Sequence, residues 1–174
     1  MNLLFDRILE EGIRKTLVMD IRADVAANHP AIIEKMAHGG LEVVICGFES
    51  FRDEELKRYH KKSPALDNQK AVEVFHQNNI MVRGNYVIPY TYTEDDFKAL
   101  SDYAALNPVV YAGYTILSPM PGTVYHRQIR DQIIDHDYNK YNFFNAVTKT
   151  TLPYEKFHEM VGALWLIKKG TDVI

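Results

Sequence analysis

Short runs of β-branched and apolar residues alternate along this chain with longer segments of helical periodicity, and no other feature constrains the fold as much. The runs are Thr16 to Ile21, Leu41 to Phe48, Ile80 to Ile88 and Val109 to Leu117. Before the first, Leu4, Phe5, Ile8 and Leu9 share one helical face. Asn28, followed by Pro30, opens a helix expected to bury Ile32, Ile33, Met36 and Ala37 and to stop at Gly39-Gly40. A charged helical stretch covers Arg52 to Tyr59, and Asp67 is expected to cap a helix carrying Ala71, Val72, Val74 and Phe75 inward. Thr93 with Asp96 makes a capping box ahead of Phe97, Leu100 and Ala104. This rhythm predicts parallel strands joined by right-handed crossovers, and strands apolar nearly throughout predict a sheet covered on both faces. The expected class is α/β, an incomplete (β/α) barrel over residues 1–123. A C-terminal extension, 124–174, follows, with an aromatic polar stretch and a terminal helix presenting Phe157, Met160, Val161, Leu164 and Trp165 on one side.

Composition excludes several functions. The 20 basic and 23 acidic residues are well mixed and leave a net charge of -3, which gives neither a nucleic-acid footprint nor a polybasic membrane patch. The longest apolar runs are strand-sized, and charge interrupts the N-terminus at Asp6, so neither a spanning helix nor a signal core is expected and the cytoplasm is the expected compartment. The single cysteine, Cys46, lies within Val43-Val44-Ile45-Cys46-Gly47-Phe48, where it reads as core filling. One thiol supplies neither an iron-sulfur cluster nor a structural zinc site, and the seven histidines show no paired metal spacing, so no metal site is expected.

Ligands of parallel α/β sheets bind beyond the carboxyl ends of the strands, and each end here is polar or unusual. The first run ends in Asp20-Ile21-Arg22, with Val18, Asp20 and Arg22 expected on the face away from the helices. The second ends in Gly47-Phe48-Glu49-Ser50, the third carries Arg83 and Asn85, and the fourth leads into Leu117-Ser118-Pro119-Met120-Pro121-Gly122-Thr123. Asp20, Arg22, Glu49 and Arg83 have a bland reading, an internal ion-pair network that satisfies a polar barrel interior. Together at strand ends they favour a ligand pocket, with Asp20 and Arg22 on its substrate side. Lys57, Arg58, His60, Lys61 and Lys62 read as an exposed helix end.

The succession Gly47-Phe48-Glu49-Ser50, Glu55-Leu56-Lys57, Ala71-Val72, Asn79 to Ile88 and Leu117 to Thr123 resembles the later strands of radical S-adenosylmethionine enzymes. It is most similar to their cobalamin-associated branch, which includes hopanoid C-3 methylases and anaerobic magnesium-protoporphyrin ester cyclases. The tail from Phe143 to Phe157 resembles the segment after the barrel in the hopanoid methylase group. The resemblance implies a partial barrel that holds S-adenosylmethionine against a 4Fe-4S cluster, with cobalamin as a further cofactor of the full-length enzymes. By resemblance, Glu49 and Ser50 meet the ribose or methionine part of the cofactor, and Arg83 and Asn85 lie near its methionine end. Val87, Ile88 and Pro89 flank the adenine, and Leu117, Ser118 and Pro119 meet the base through backbone. Pro89-Tyr90-Thr91-Tyr92 stands where the family carries a glycine-rich turn.

The family's CxxxCxxC loop and cobalamin domain have no counterpart in these residues. The expectation is therefore a fragment of such a methyltransferase or oxidoreductase that is catalytically inactive alone and binds none of the cofactors tightly. The parent enzyme's substrate is expected to be a small molecule, lipid-like or tetrapyrrole-like. Two other readings stay open: a stand-alone (β/α) enzyme using Glu49, Asp20 and Arg22 in acid/base work, and a non-catalytic assembly module completed by a partner. The open sides of the sheet predict a homo-oligomer.

Overall fold

The computed structural model describes residues 2–107 and 109–166. Helix α1 (Asn2–Glu10) leads into β1 (Leu17–Asp20), α2 (Ala23–Asn28), α3 (Pro30–His38) and β2 (Leu41–Glu49). Helices α4 (Asp53–Arg58) and α5 (Leu66–Gln77) precede β3 (Met81–Ile88), and α6 (Glu94–Leu106) precedes β4 (Tyr111–Ile116). The tail holds α7 (Val124–Gln128), two 3-10 turns and α8 (Tyr154–Trp165). The strands form one sheet in the order β1-β2-β3-β4, and the β1-β2 and β2-β3 pairings are parallel. That is the sequential, unclosed α/β arrangement the alternating pattern predicts.

The residues group into two compact units, one built on 2–86 with 106–113 and the other on 87–105 with 114–166. In the first, period-two alternation sends Val44, Cys46, Phe48, Val82, Gly84 and Tyr86 to one buried face of the sheet. Ala26, Ile33, Met36, Ala71, Val72 and Phe75 are buried on the helices of this unit. Gly84 is required there, because a Cβ would meet Phe48 Cε2 at 2.5 Å where that ring crosses β3 on its way to Tyr86, 5.7 Å between centroids. Burial pushes the Cys46 thiol up to about 12, so the cysteine is an inert core residue, as its apolar surroundings suggest.

The opposite face corrects an expectation. Val18 is 59% exposed, and Asp20, Met81 and Arg83 are also exposed, so the sheet is covered on one face only among the described residues. The strands read as apolar on both faces because this open one still carries Val43, Ile45 and Val87.

In the second unit the capping box forms as expected: the Thr93 N–H donates to Asp96 Oδ2 at 2.8 Å and the Asp96 N–H to Thr93 Oγ1 at 3.4 Å. Helix α6 then buries Phe97 and Leu100. Phe97 meets Phe157 of α8 edge-on at 5.4 Å, and Trp165 meets Tyr114 at 5.9 Å. The Ile116 N–H donates to the Phe143 carbonyl at 2.7 Å, so the tail satisfies part of an edge that was expected to be open. Asp67 departs from expectation as well: Ala65 is the N-cap residue of α5, and Asp67 lies buried in its first turn.

Candidate functional site

In the first unit, the carboxyl ends of β1, β2 and β3 bring Asp20, Glu49, Arg83 and Asn85 to the open face or its rim, with Ile45 beside Arg83 and Gly47 beside Asn85 in register. They do not form the internal ion-pair network that their charges suggest. Arg22 turns away to Asp24, donating through Nε at 2.9 Å and Nη2 at 2.8 Å, and these hydrogen bonds hold the Asp24 carboxyl below its ordinary value. Arg83 lies with its guanidinium carbon 5.0 Å from the Tyr111 ring centroid. The Asp20 side chain is exposed and has no ion pair or hydrogen bond among the described residues.

Glu49 pairs instead with Lys61, at 3.0 Å between Oε1 and Nζ, with both side chains about one quarter exposed (25% and 24%). Lys61 was expected on an exposed helix end. Lys57, Arg58, His60 and Lys62 are exposed, but Lys61 turns in, and its Nζ also donates to the Gly47 carbonyl at 3.4 Å. Glu49 sits at φ +63°, after a register shift between Gly47 and Glu49 in the β2-β3 pairing. A Cβ on Gly47 would come within 2.5 Å of Glu49 Oε1, so glycine makes room for the folded-back carboxylate.

Ser50 is 2% exposed and wired into the structure. Its hydroxyl donates to Glu55 Oε2 and accepts the Arg52 N–H at 3.0 Å, while Asn68 Nδ2 donates to the Ser50 carbonyl at 3.1 Å and the Phe48 carbonyl at 3.4 Å. This buried polar knot fixes the loop after β2 and hence the base of Glu49. Glu55 belonged to the motif that carries the resemblance, whereas Asn68 and Lys61 were missed. A polar residue one position after Asp67 on an amphipathic helix was the available signal for Asn68, and nothing local distinguishes Lys61 from its basic neighbours.

In the second unit, Ile88 and Pro89 are buried and Val87 is partly so. The Leu117 N–H donates to the Ile88 carbonyl at 2.9 Å, which carries the β3-β4 adjacency past the end of β4. Ser118 is buried with its hydroxyl on the Ile116 carbonyl at 3.3 Å, beside buried Pro119. Thr123 Oγ1 accepts the His126 N–H at 3.1 Å and caps α7. Among the described residues, no group of His, Cys, Asp and Glu is arranged to hold a metal ion, and no helix is long and apolar enough to cross a membrane.

No protein-family model matches the chain. It is 29% identical over 142 residues to the bacteriochlorophyllide d C-12(1)-methyltransferase of Chlorobaculum tepidum, covering 79% of this chain and 31% of that protein. It is 25% identical over 154 residues to the hopanoid C-3 methylase of Methylococcus capsulatus, covering 88% of this chain and 30% of the methylase. Among solved structures, TsrM of Kitasatospora setae superposes with a TM-score of 0.64 at 16% identity, over 76% of this chain and 26% of its own. TsrM is a radical S-adenosylmethionine methyltransferase whose structure holds cobalamin and a 4Fe-4S cluster. The likeness to cobalamin-associated radical S-adenosylmethionine enzymes therefore holds in sequence and in fold. The chain spans about a third of the length of those curated relatives.

Proposed function

We propose that this chain supplies the later strands of a cobalamin-associated radical S-adenosylmethionine enzyme, a methyltransferase or an oxidoreductase, and that its share of the work is to hold the cofactor's nucleoside. The observation that carries the reading is the sequential open sheet, whose uncovered face ends in Glu49 beside Gly47 and Asn85. Glu49 offers a carboxylate oxygen, Asn85 a carboxamide and Gly47 the space of a missing Cβ, a set that suits ribose hydroxyls. Arg83 belongs to the methionine end of the cofactor. Val87, Ile88 and Pro89 belong to its adenine, and Leu117, Ser118 and Pro119 meet the base through backbone. Ser50 acts from behind by fixing the loop that carries Glu49.

The residues do not fit a 4Fe-4S cluster: the one cysteine is 0% exposed, and burial has driven its thiol away from the thiolate a cluster needs. Cluster ligation and electron delivery belong to residues outside these 174, so the isolated chain is inactive. When bound in the whole enzyme, the cluster and S-adenosylmethionine supply radical chemistry, and cobalamin supplies methyl transfer. The whole enzyme's substrate is a small molecule of the lipid or tetrapyrrole kind named for the two relatives, and the exposed Asp20 faces it from the end of β1, whereas Arg22 is held by Asp24 and would reach it only after leaving that pair.

The test is amide chemical-shift mapping of the isotopically labelled chain with millimolar S-adenosylhomocysteine, a stable analogue of the cofactor. Weak binding is expected, with shifts gathered at residues 47–50, 83–89 and 117–119. Shifts at the opposite strand ends, or none at saturation of the analogue's solubility, would overturn the assignment.

A further inference from the structure

Glu49 does not leave the end of β2 as an extended strand residue would. Its φ of +63° lies in the left-handed region that non-glycine residues seldom adopt, and the side chain folds back over Gly47. Lys61 meets it there at 3.0 Å, and a second left-handed residue delivers the lysine. Helix α4 ends in a Schellman arrangement: His60 sits at φ +57° with its N–H on the Lys57 carbonyl, and the Lys61 N–H donates to the Leu56 carbonyl at 2.8 Å. Glycine is the usual residue at the left-handed position of this motif, and here a histidine takes it. Two non-glycine residues in a costly conformation thus converge on one ion pair. Such residues persist where their surroundings over-determine them, and they gather at ligand sites. Stability alone does not account for the pair, since ion pairs with this much solvent contact contribute little.

We propose that Lys61 is a positioning residue that holds the Glu49 carboxylate over Gly47, so that Oε2 and the Asn85 carboxamide together read a pair of hydroxyls on a neutral sugar. Lys61 occupies Oε1, and Oε2 has no partner among the described residues. Asn85 pairs in register with Gly47 and so projects from the same face one strand away. With the lysine in place, the Glu49–Lys61 pair as a whole brings no net charge to the seat, which favours a neutral diol over a cation. The diol rests on the nucleoside-binding function proposed above; the positioning of Glu49 by Lys61 does not.

The test uses the full chain, with adenosine as the diol probe and the variants Lys61→Met and Lys61→Arg. Nuclear Overhauser contacts between the Glu49 γ protons and the Gly47 α protons are expected in the wild type and in Lys61→Arg, and are expected to vanish in Lys61→Met. Adenosine affinity should fall about tenfold or more in Lys61→Met, the size of a lost charged hydrogen bond, and return in Lys61→Arg. Contacts that persist in Lys61→Met, or adenosine binding there at wild-type strength, would overturn the proposal. If the contacts respond as expected while none of the three proteins binds adenosine, Lys61 keeps its positioning role and the nucleoside reading falls. Lys61→Gln, with the same readouts, takes the place of Lys61→Met if the methionine variant does not fold.

Discussion

Cys46 shows how far a single residue can be read in advance. Its apolar neighbours mark it as core, and it is 0% exposed with a thiol pushed up to about 12 by burial. A cysteine whose folded value lies above its ordinary 9.0 stabilises the fold fully below pH 9, and that contribution is lost as the pH rises from 9 towards 12. Compared with Cys46→Ala, the wild type should lose unfolding free energy by up to about 1.4 kcal/mol per pH unit across that window. Urea midpoints at several alkaline pH values measure this, and parallel pH profiles for the two proteins would refute it. Glu49 marks the limit of residue-scale reading. Its type and place at a strand end were legible, but its left-handed backbone and its lysine come from a register shift and a helix end that no local pattern announces.

Elements with an explicit start signal were legible, and those without one were not. Pro30 opens α3, although Asn28, expected to cap it, ends α2 and His29 is the N-cap residue, and Thr93 with Asp96 opens α6, because in each case side-chain or ring chemistry settles the first turn. Helix α2, which no pattern announced, starts after Arg22 without a side-chain cap and runs for 6 residues, too short for periodicity to show. Asp67 looks like a cap yet lies within the first turn of α5, since Ala65 and Pro64 had already begun it. Thr93→Ala should cost about 1 kcal/mol of stability, read from the denaturant midpoint; an unchanged midpoint would mean that packing of Phe97 and Leu100 alone holds the α6 start. The four strands were legible to within about two residues at each end, the usual spread of such boundaries. The open face was not, because an exposed apolar residue reads the same as a buried one in sequence.

Across the whole molecule, the sequential order and the relatives point the same way: these residues match about a third of the length of longer proteins similar to cobalamin-associated radical enzymes. Among the described residues strand β1 pairs with β2 alone, and Val18 on it is exposed, so its outer edge can accept another strand. The isolated chain should therefore self-associate, most simply as a dimer, and Val18→Lys should weaken the association by charging that edge. Light scattering at micromolar concentration measures it, and a monodisperse wild-type monomer with rapid amide exchange along Leu17–Asp20 would defeat it. The central claim has a more direct test in the genomic DNA 5′ of the Met1 codon. The account predicts an in-frame CxxxCxxC coding pattern placed after a strand-like run. An in-frame stop codon, with no such cysteine pattern in any upstream frame, would contradict it.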